Sequence, residues 1–345
     1  MKIIIASTIV PFVIGGGELI VDWLELKLKE YGHQVDVVKI PFSPNYQEVL
    51  TQTTALRLYH LENACDRLIC IRSPSYVIPH PNKYLWFVHH YREIYDLWNT
   101  EFDSLPKNSE TFAIREYIMR SDEKAFSEAN KIYTNSKIVS KRLLDFNRIE
   151  SKPLYPPILS PLQFYCDSYG DYIYYSSRIH KIKRQLLAVQ AMRYTKTNVK
   201  LLVTGLADSQ EYVAKLHKYI HSHSLEKKVT ILNEWIPEEQ KAKYFAKCLA
   251  AIYVPYDEDS YGYPSLEAHH SQKAVITCQD SGGTRELIND GENGWLVQAD
   301  PKIIAEYFDR LYMDRKLAED MGNKGFKRIT ELDITWDNVI RSFTQ

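Results

Sequence analysis

The residues of this chain best suited to chemistry lie between Tyr253 and Glu286, in the stretch YVPYDEDSYGYPSLEAHHSQKAVITCQDSGGTRE. An apolar run ending at Pro255 leads into the acidic cluster Asp257-Glu258-Asp259, and Pro264 then opens a helical pattern that carries Glu267 on its first turn. A helix start offers unpaired backbone N–H groups and the positive end of the helix dipole, which together hold a phosphate. Carboxylates beside it accept hydrogen bonds from hydroxyls. Phosphate and polyol together suggest a sugar nucleotide. Ala274-Val275-Ile276-Thr277 reads as a second strand, and Ser281-Gly282-Gly283 lets backbone approach a ligand closely before Arg285-Glu286. The same pattern equally describes an ordinary strand–loop–helix–strand unit.

Other side chains fit an anionic ligand. Arg178 and Lys183 lie in the loop between a predicted strand over Tyr172–Ser176 and a predicted helix over Gln185–Met192. A guanidinium meets a diphosphate as a fork and an ammonium as a point charge, although the pair also suits a plain surface. Gly15-Gly16-Gly17 follows a predicted strand over Lys2–Ser7 and precedes a helical pattern over Glu18–Tyr31, without GxGxxG spacing. Its amides still have room to meet a diphosphate. A predicted strand over Lys83–Val88 ends in His89-His90-Tyr91-Arg92, and a parallel sheet would point His89 and Arg92 toward the crevice at its carboxyl end. A hydrogen-bonded histidine at the core edge is the alternative for His89. His217, His221 and His223 lack a carboxylate or Cys to complete a set, so no metal site is predicted.

Parallel sheets must position these groups. A chain of 345 residues suits two α/β domains of about 150–170 residues each, and Leu154–Gly170 breaks all periodicity as a linker between them. Further strands are predicted at Gln34–Ile40, Asp66–Ser73, Lys131–Asn135, Lys200–Thr204, Lys228–Leu232 and Leu249–Val254. Helices are predicted over Arg115–Glu128, over Lys137–Phe146 with Ser136 as its cap, and over Asp333–Phe343. With 43 basic and 44 acidic residues the net charge is −1, which gives no footprint for wholesale nucleic-acid binding. Lys137, Lys141, Arg142, Arg148 and Lys152 are locally basic: a solvated helix face, or a contact with an anionic acceptor or membrane surface. The 5 cysteines are scattered and never form a CxxC pair, so neither a disulfide framework nor a zinc site is indicated and a reducing cytoplasm is the expected location. The opening MKIIIAST is too short an apolar run for a signal peptide or membrane span.

In order along the chain these pieces resemble the family 4 glycosyltransferases, α/β enzymes of the GT-B fold with two Rossmann-like parallel-sheet domains facing a central cleft. Asp259-Ser260-Tyr261-Gly262-Tyr263-Pro264-Ser265-Leu266-Glu267-Ala268 resembles that family's Glu-x7-Glu motif with Asp in the first position, and Glu258 lies one residue too early. Ser281-Gly282-Gly283 with Glu286, Asn293-Gly294-Trp295-Leu296-Val297, Ser177-Arg178 with Lys183, and Gly15-Gly16-Gly17-Glu18 resemble its other motifs, with Ser177 where Gly is usual. Trp86 to Arg92 looks like the W-x-x-H-x-H-R version of some members.

The resemblance implies an acceptor-binding domain over 1–158, a donor-binding domain over 159–332 and a final helix, 333–345, that crosses back to the first. It implies that Glu267 binds ribose hydroxyls, that Arg178, Lys183 and the backbone of Gly15 and Gly16 bind the diphosphate, and that Asp259 or Glu258, with the loop around Gly262, Tyr263 and Ser265, holds the donor sugar beside His89. The implied reaction is metal-independent, cofactor-free transfer of a hexosyl group from a UDP- or GDP-sugar to a glycan or lipid-linked glycan, with retention of configuration. Arg178, Lys183 and the helix dipole would stabilise the departing diphosphate. The shorter carboxylate at Asp259 keeps two rivals open: another GT-B enzyme such as a sugar-nucleotide epimerase or phosphorylase, and a binding subunit without turnover.

Overall fold

Apolar runs such as Ile3-Ile4-Ile5-Ala6 suit strands covered on both faces, and parallel sheets are built from them. The structure, a computed structural model, describes residues 1–11, 16–43, 45–100 and 103–345. Along the chain lie β1 (Lys2–Ile9), α1 (Gly16–Glu30), β2 (Gln34–Pro41), α2 (Tyr46–Leu56), β3 (Arg67–Cys70), β4 (Lys83–Phe87), α3 (Ser109–Ser127), β5 (Lys131–Thr134), α4 (Lys137–Asn147) and β6 (Lys152–Pro153). There follow β7 (Tyr172–Ser176), α5 (Gln185–Ala191), β8 (Lys200–Thr204), α6 (Gln210–Ser222), β9 (Val229–Leu232), α7 (Glu238–Lys247), β10 (Ala250–Ile252), α8 (Tyr263–His270), β11 (Val275–Cys278), β12 (Gly294–Val297), α9 (Pro301–Met313), α10 (Arg315–Glu331) and α11 (Trp336–Thr344). Residues Met1–Pro157 with Ile334–Gln345 form one compact unit, and Ile158–Asp333 form a second.

Each unit holds one six-stranded sheet, in the order β2-β1-β3-β4-β5-β6 in the first and β12-β11-β10-β7-β8-β9 in the second. Every neighbouring pair is parallel. Strand order reverses between β1 and β3 in the first sheet and between β7 and β10 in the second. At such a reversal the two connections leave in opposite directions and open a crevice at the carboxyl ends of the strands, where ligands bind in folds of this kind.

Local chemistry explains where the helices begin. The Ser136 side chain accepts from Val139 N at 3.1 Å, capping α4 as expected. Asn108 accepts from Thr111 N at 2.9 Å, so α3 starts well before Arg115, where its apolar periodicity first becomes clear. Helix α2 was missing from the sequence reading because Thr53 fills a buried position between Val49 and Leu56. The strand expected over Asp66–Ser73 ends at Cys70, and Ser75 N then turns back to Arg72 O at 2.8 Å.

Helix α11 packs on the first unit through buried Trp336, Val339, Ile340 and Phe343. The Phe343 ring lies 5.4 Å from that of Trp86 and 5.3 Å from that of Tyr133. The Tyr133 hydroxyl donates to Ser342 O at 3.1 Å, and the Arg67 guanidinium donates to Phe343 O. Phe343→Ala is therefore expected to destabilise the first unit by about 3–5 kcal/mol. Equilibrium denaturation followed by tryptophan fluorescence should show that loss as an earlier transition, with the second unit's transition unmoved.

Candidate functional site

The second sheet's reversal lies between β7 and β10, and the loops leaving these two strands meet there. Ser176 ends β7, and Ser177 follows with its carbonyl so close to Gly205 that a Cβ on Gly205 would stand 1.9 Å from it. Gly205 has φ +145, so the conformational freedom needed at this crossing sits on the β8 loop, and Ser177 is tolerated where the sequence comparison expected Gly. Buried Gln185 donates to Ser177 Oγ at 2.8 Å and to Arg178 O at 2.9 Å, fixing the loop from beneath.

Three cations leave this loop with different duties. Arg178 is half-exposed and reaches Asp208 at 3.3 Å, on the β8 side. Lys183 turns the other way, donating to the Tyr253 hydroxyl at 3.0 Å and pairing with Glu258. Arg184 sits in the left-handed region with φ 56 and donates to Val254 O at 2.7 Å, to Pro255 O at 2.9 Å and to both oxygens of Asp280 at 2.7 Å. It ties the β7 loop to the ends of β10 and β11. Burial lowers the imidazolium of His180, and the positive charges of Arg178, Lys181 and Lys183 lower it further.

The acidic loop after β10 is fixed through its backbone. Tyr256 N donates to Ile182 O at 2.8 Å, Asp257 N to Asp280 O at 2.9 Å, and Gly283 N to Glu258 O at 2.7 Å. Gly282 has φ +61, and a Cβ there would come within 2.3 Å of Glu258 O, so the Gly-Gly turn is what lets β11's loop lie against the acidic one. Glu258 accepts from Tyr253 at 3.1 Å as well as pairing with Lys183. Asp259, the next residue, is half-buried in the same loop. Burial, and then the Glu258 charge, push the Tyr253 hydroxyl well above the ordinary range, so it stays a neutral donor.

Helix α8 starts at this loop. Gly262 is its cap, with Pro264 in its first turn. The Ser265 hydroxyl is buried without a hydrogen-bond partner. Glu267 is 3% exposed; its Oε1 accepts from Lys241 on α7 at 2.6 Å, and its Oε2 is buried with no partner. Burial raises the Glu267 carboxyl above the usual range, while Lys241 opposes that rise. Burial alone would lower the Lys241 ammonium, but the charges of Glu267 and Glu238 hold it above its ordinary value. A hidden carboxylate oxygen with a spare lone pair, a helix start and an ammonium on the facing loop form a combination able to accept hydroxyls and hold an anion.

Thus Lys183 and Glu258 meet at Tyr253, whose ring lies against Gly262, the cap of the helix that carries Glu267. Arg178 flanks them and is not bonded to Lys183. In the first unit, half-buried His89 donates from Nδ1 to His90 O at 2.6 Å, which leaves Nε2 as its acceptor nitrogen. Tyr91 occupies the place of the second His of the W-x-x-H-x-H-R pattern. Arg92, expected to face the crevice at the sheet's carboxyl end, is bonded to Asp96 at 2.8 Å, and Arg142 is buried 3.6 Å from the same carboxylate. Gly16 is the first residue of α1, and Gly15 lies outside the described residues. Arg184, Lys241 and Tyr253 were missed. In sequence, Arg184 is one more cation in the run Lys181-Ile182-Lys183-Arg184, and Lys241 one of three lysines on a polar helix.

His221 pairs with Glu226 at 3.1 Å and His223 stacks on Tyr219, and among the described residues no group of three or more His, Cys, Asp or Glu is placed to hold a metal. Among the same residues, no helix is long and apolar enough to cross a membrane.

Residues 167–328 match the family described as Glycosyl transferases group 1. A stretch of 128 residues is 31% identical to alpha-1,3/1,6-mannosyltransferase ALG2 of Dictyostelium discoideum, covering 37% of this chain and 30% of that protein. The chain thus spans about a third of that relative's length. In fold it is similar to sucrose-phosphate synthase from Thermosynechococcus elongatus, with a TM-score of 0.78 and 17% identity over 98% of this chain and 96% of the other. It is likewise similar to Anabaena HepE in complex with UDP, with a TM-score of 0.73 and 15% identity over 99% and 98% of the two chains. The architecture is that of the GT-B fold, a Rossmann-like parallel sheet in each unit.

Because Glu258 neutralises Lys183, Glu258→Gln is expected to tighten binding of inorganic pyrophosphate by about tenfold, and Lys183→Met to weaken it by a similar factor. Isothermal titration of the full chain without metal measures both changes.

Proposed function

We propose that this chain, whose residues 167–328 match the family described as Glycosyl transferases group 1, moves a hexosyl group from a UDP- or GDP-sugar to a glycan or lipid-linked glycan. The observation that carries this reading is the meeting, at one sheet reversal, of a buried carboxylate oxygen without a partner on Glu267, the ammonium of Lys183 and the start of α8. Relatedness to a mannosyltransferase supports a hexose as the group transferred. Membership of family 4 fits the same motifs.

In this reading Glu267 Oε2 accepts from the ribose hydroxyls. Lys183, Arg178 and the first amides of α8 meet the diphosphate. Asp259 or Glu258, with the loop through Gly262, holds the sugar; Glu258 also meets Lys183 and Tyr253. The bond between the anomeric carbon and the diphosphate oxygen breaks, the acceptor hydroxyl forms the new bond on the same face, and its proton passes to a phosphate oxygen of the leaving group. Negative charge grows on the diphosphate as this happens, so cations and helix amides already aimed there lower the barrier. These groups supply the charge a metal ion supplies elsewhere, and no metal is needed.

We assign the protein to the cytoplasm, with contact to an anionic membrane through exposed Lys137, Lys141, Arg148 and Lys152; Arg142 is buried and takes no part. Reversing the charges of Lys137, Lys141 and Lys152 should abolish sedimentation with vesicles rich in anionic lipid. No binding by the parent, or binding that survives reversal, would refute the assignment.

Calorimetry with UDP-, GDP- and ADP-sugars tests the donor site. Glu267→Ala should weaken binding at least about tenfold, since a buried acceptor for two hydroxyls is lost. Nucleotide release in the parent establishes transfer chemistry. Binding without release under any acceptor mixture points instead to a binding subunit, and no binding at all removes the nucleotide reading.

A further inference from the structure

Lys241 lies on α7, outside every loop that meets at the sheet reversal, yet its ammonium reaches into the site. Nζ donates to Glu267 Oε1 at 2.6 Å and to Glu238 Oε1 at 2.7 Å, with the lysine side chain 16% exposed. Its carboxylate partner is almost wholly hidden, and the second carboxylate oxygen meets no donor. A buried carboxylate without a cation takes up a proton. The groups that act on Glu267 are Lys241 and Glu238 from α7, Tyr174 from β7, Tyr253 from the end of β10, and Tyr263 from its own helix. Burial pushes all three tyrosine hydroxyls above their ordinary range, so they bring no charge at neutral pH. The acid Glu238 works against ionisation of Glu267, and Lys241 works for it.

We propose that Lys241 is a positioning residue for nucleotide binding: it keeps Glu267 charged and occupies Oε1, so that Oε2 alone is presented to the vicinal hydroxyls of a ribonucleotide. The ammonium touches no ligand itself. It acts through the carboxylate, by fixing both its charge and which oxygen is available. An ionised Glu267 accepts hydrogen bonds from two hydroxyls, whereas a protonated one would offer a donor where acceptors are needed. The inference rests on the reading of Glu267 as the ribose group, and it adds a dependence on pH that simple packing of α7 on α8 would not produce.

The test is titration of the full chain with UDP and, in parallel, GDP across pH, for the parent, Lys241→Met, Lys241→Arg and Glu238→Gln. The ionised carboxylate is the binding form, so raising its proton affinity moves the onset of binding to higher pH. Lys241→Met should lose at least about tenfold in affinity near pH 6 to 7 and recover toward the parent near about pH 9. Lys241→Arg should restore the parent profile. Glu238→Gln should shift the onset the opposite way, to lower pH. Infrared spectra of Lys241→Met at neutral pH should show a protonated carboxyl band that disappears when Glu267→Gln is added. A loss of affinity equal at every pH, or no such band, would reduce Lys241 to a packing residue while leaving the Glu267→Ala result intact. Failure of the parent to bind either nucleotide would overturn the ribose reading, and this inference with it.

Discussion

The guanidinium of Arg184 reaches the carbonyls of Val254 and Pro255 after β10 and the carboxylate of Asp280 after β11, so three strand ends of the second sheet are tied by one side chain. A parallel sheet has no hairpins to align neighbouring loops, and each loop arrives from a separate crossover. Something rigid has to set their spacing. A planar fork with fixed donor directions does this better than a flexible ammonium. Because Arg184 takes that duty, its neighbour Lys183 turns toward Tyr253 and Glu258. The left-handed backbone at Arg184 separates a cation bonded to strand ends from one turned to Tyr253 and Glu258.

Charge in the second unit's crevice is arranged as short alternating pairs. Lys183 stands with Glu258, Lys241 with Glu267, Arg178 with Asp208 and Arg184 with Asp280. Pairing keeps cations at the site without a large standing field. The near-zero net charge of −1 is the same economy at the scale of the chain. It also means that an anion reaching Lys183 would have to compete with the resident carboxylate of Glu258.

Much of this was legible in the residues. The unbroken apolar runs marked the strands, Ser136 marked the start of α4, and Pro264 with Glu267 marked a helix beginning at the acidic loop. Side-chain partnership was not legible, because it depends on which strands become neighbours. The pairing of Lys241 with Glu267 requires α7 to lie beside α8, and that follows from sheet order rather than from either helix. Arg92 and Arg142 looked available in sequence, and the fold directs both at Asp96. The glycine demanded by the crossing after β7 was expected at position 177 and lies at Gly205, since either backbone could yield the space.

The return of α11 to the first unit has a consequence for the order in which the protein is completed on the ribosome. Domains commonly close as they emerge, the first-made ahead of the second. Here Trp86 and Tyr133 are made before the second unit, and the helix whose Phe343 covers them is made after it. All of Ile158–Asp333 leaves the ribosome in between. The later-made unit therefore has its full complement of residues first, and the earlier-made one waits with an aromatic face uncovered while all of Ile158–Asp333 is made, the interval in which a chaperone would find it.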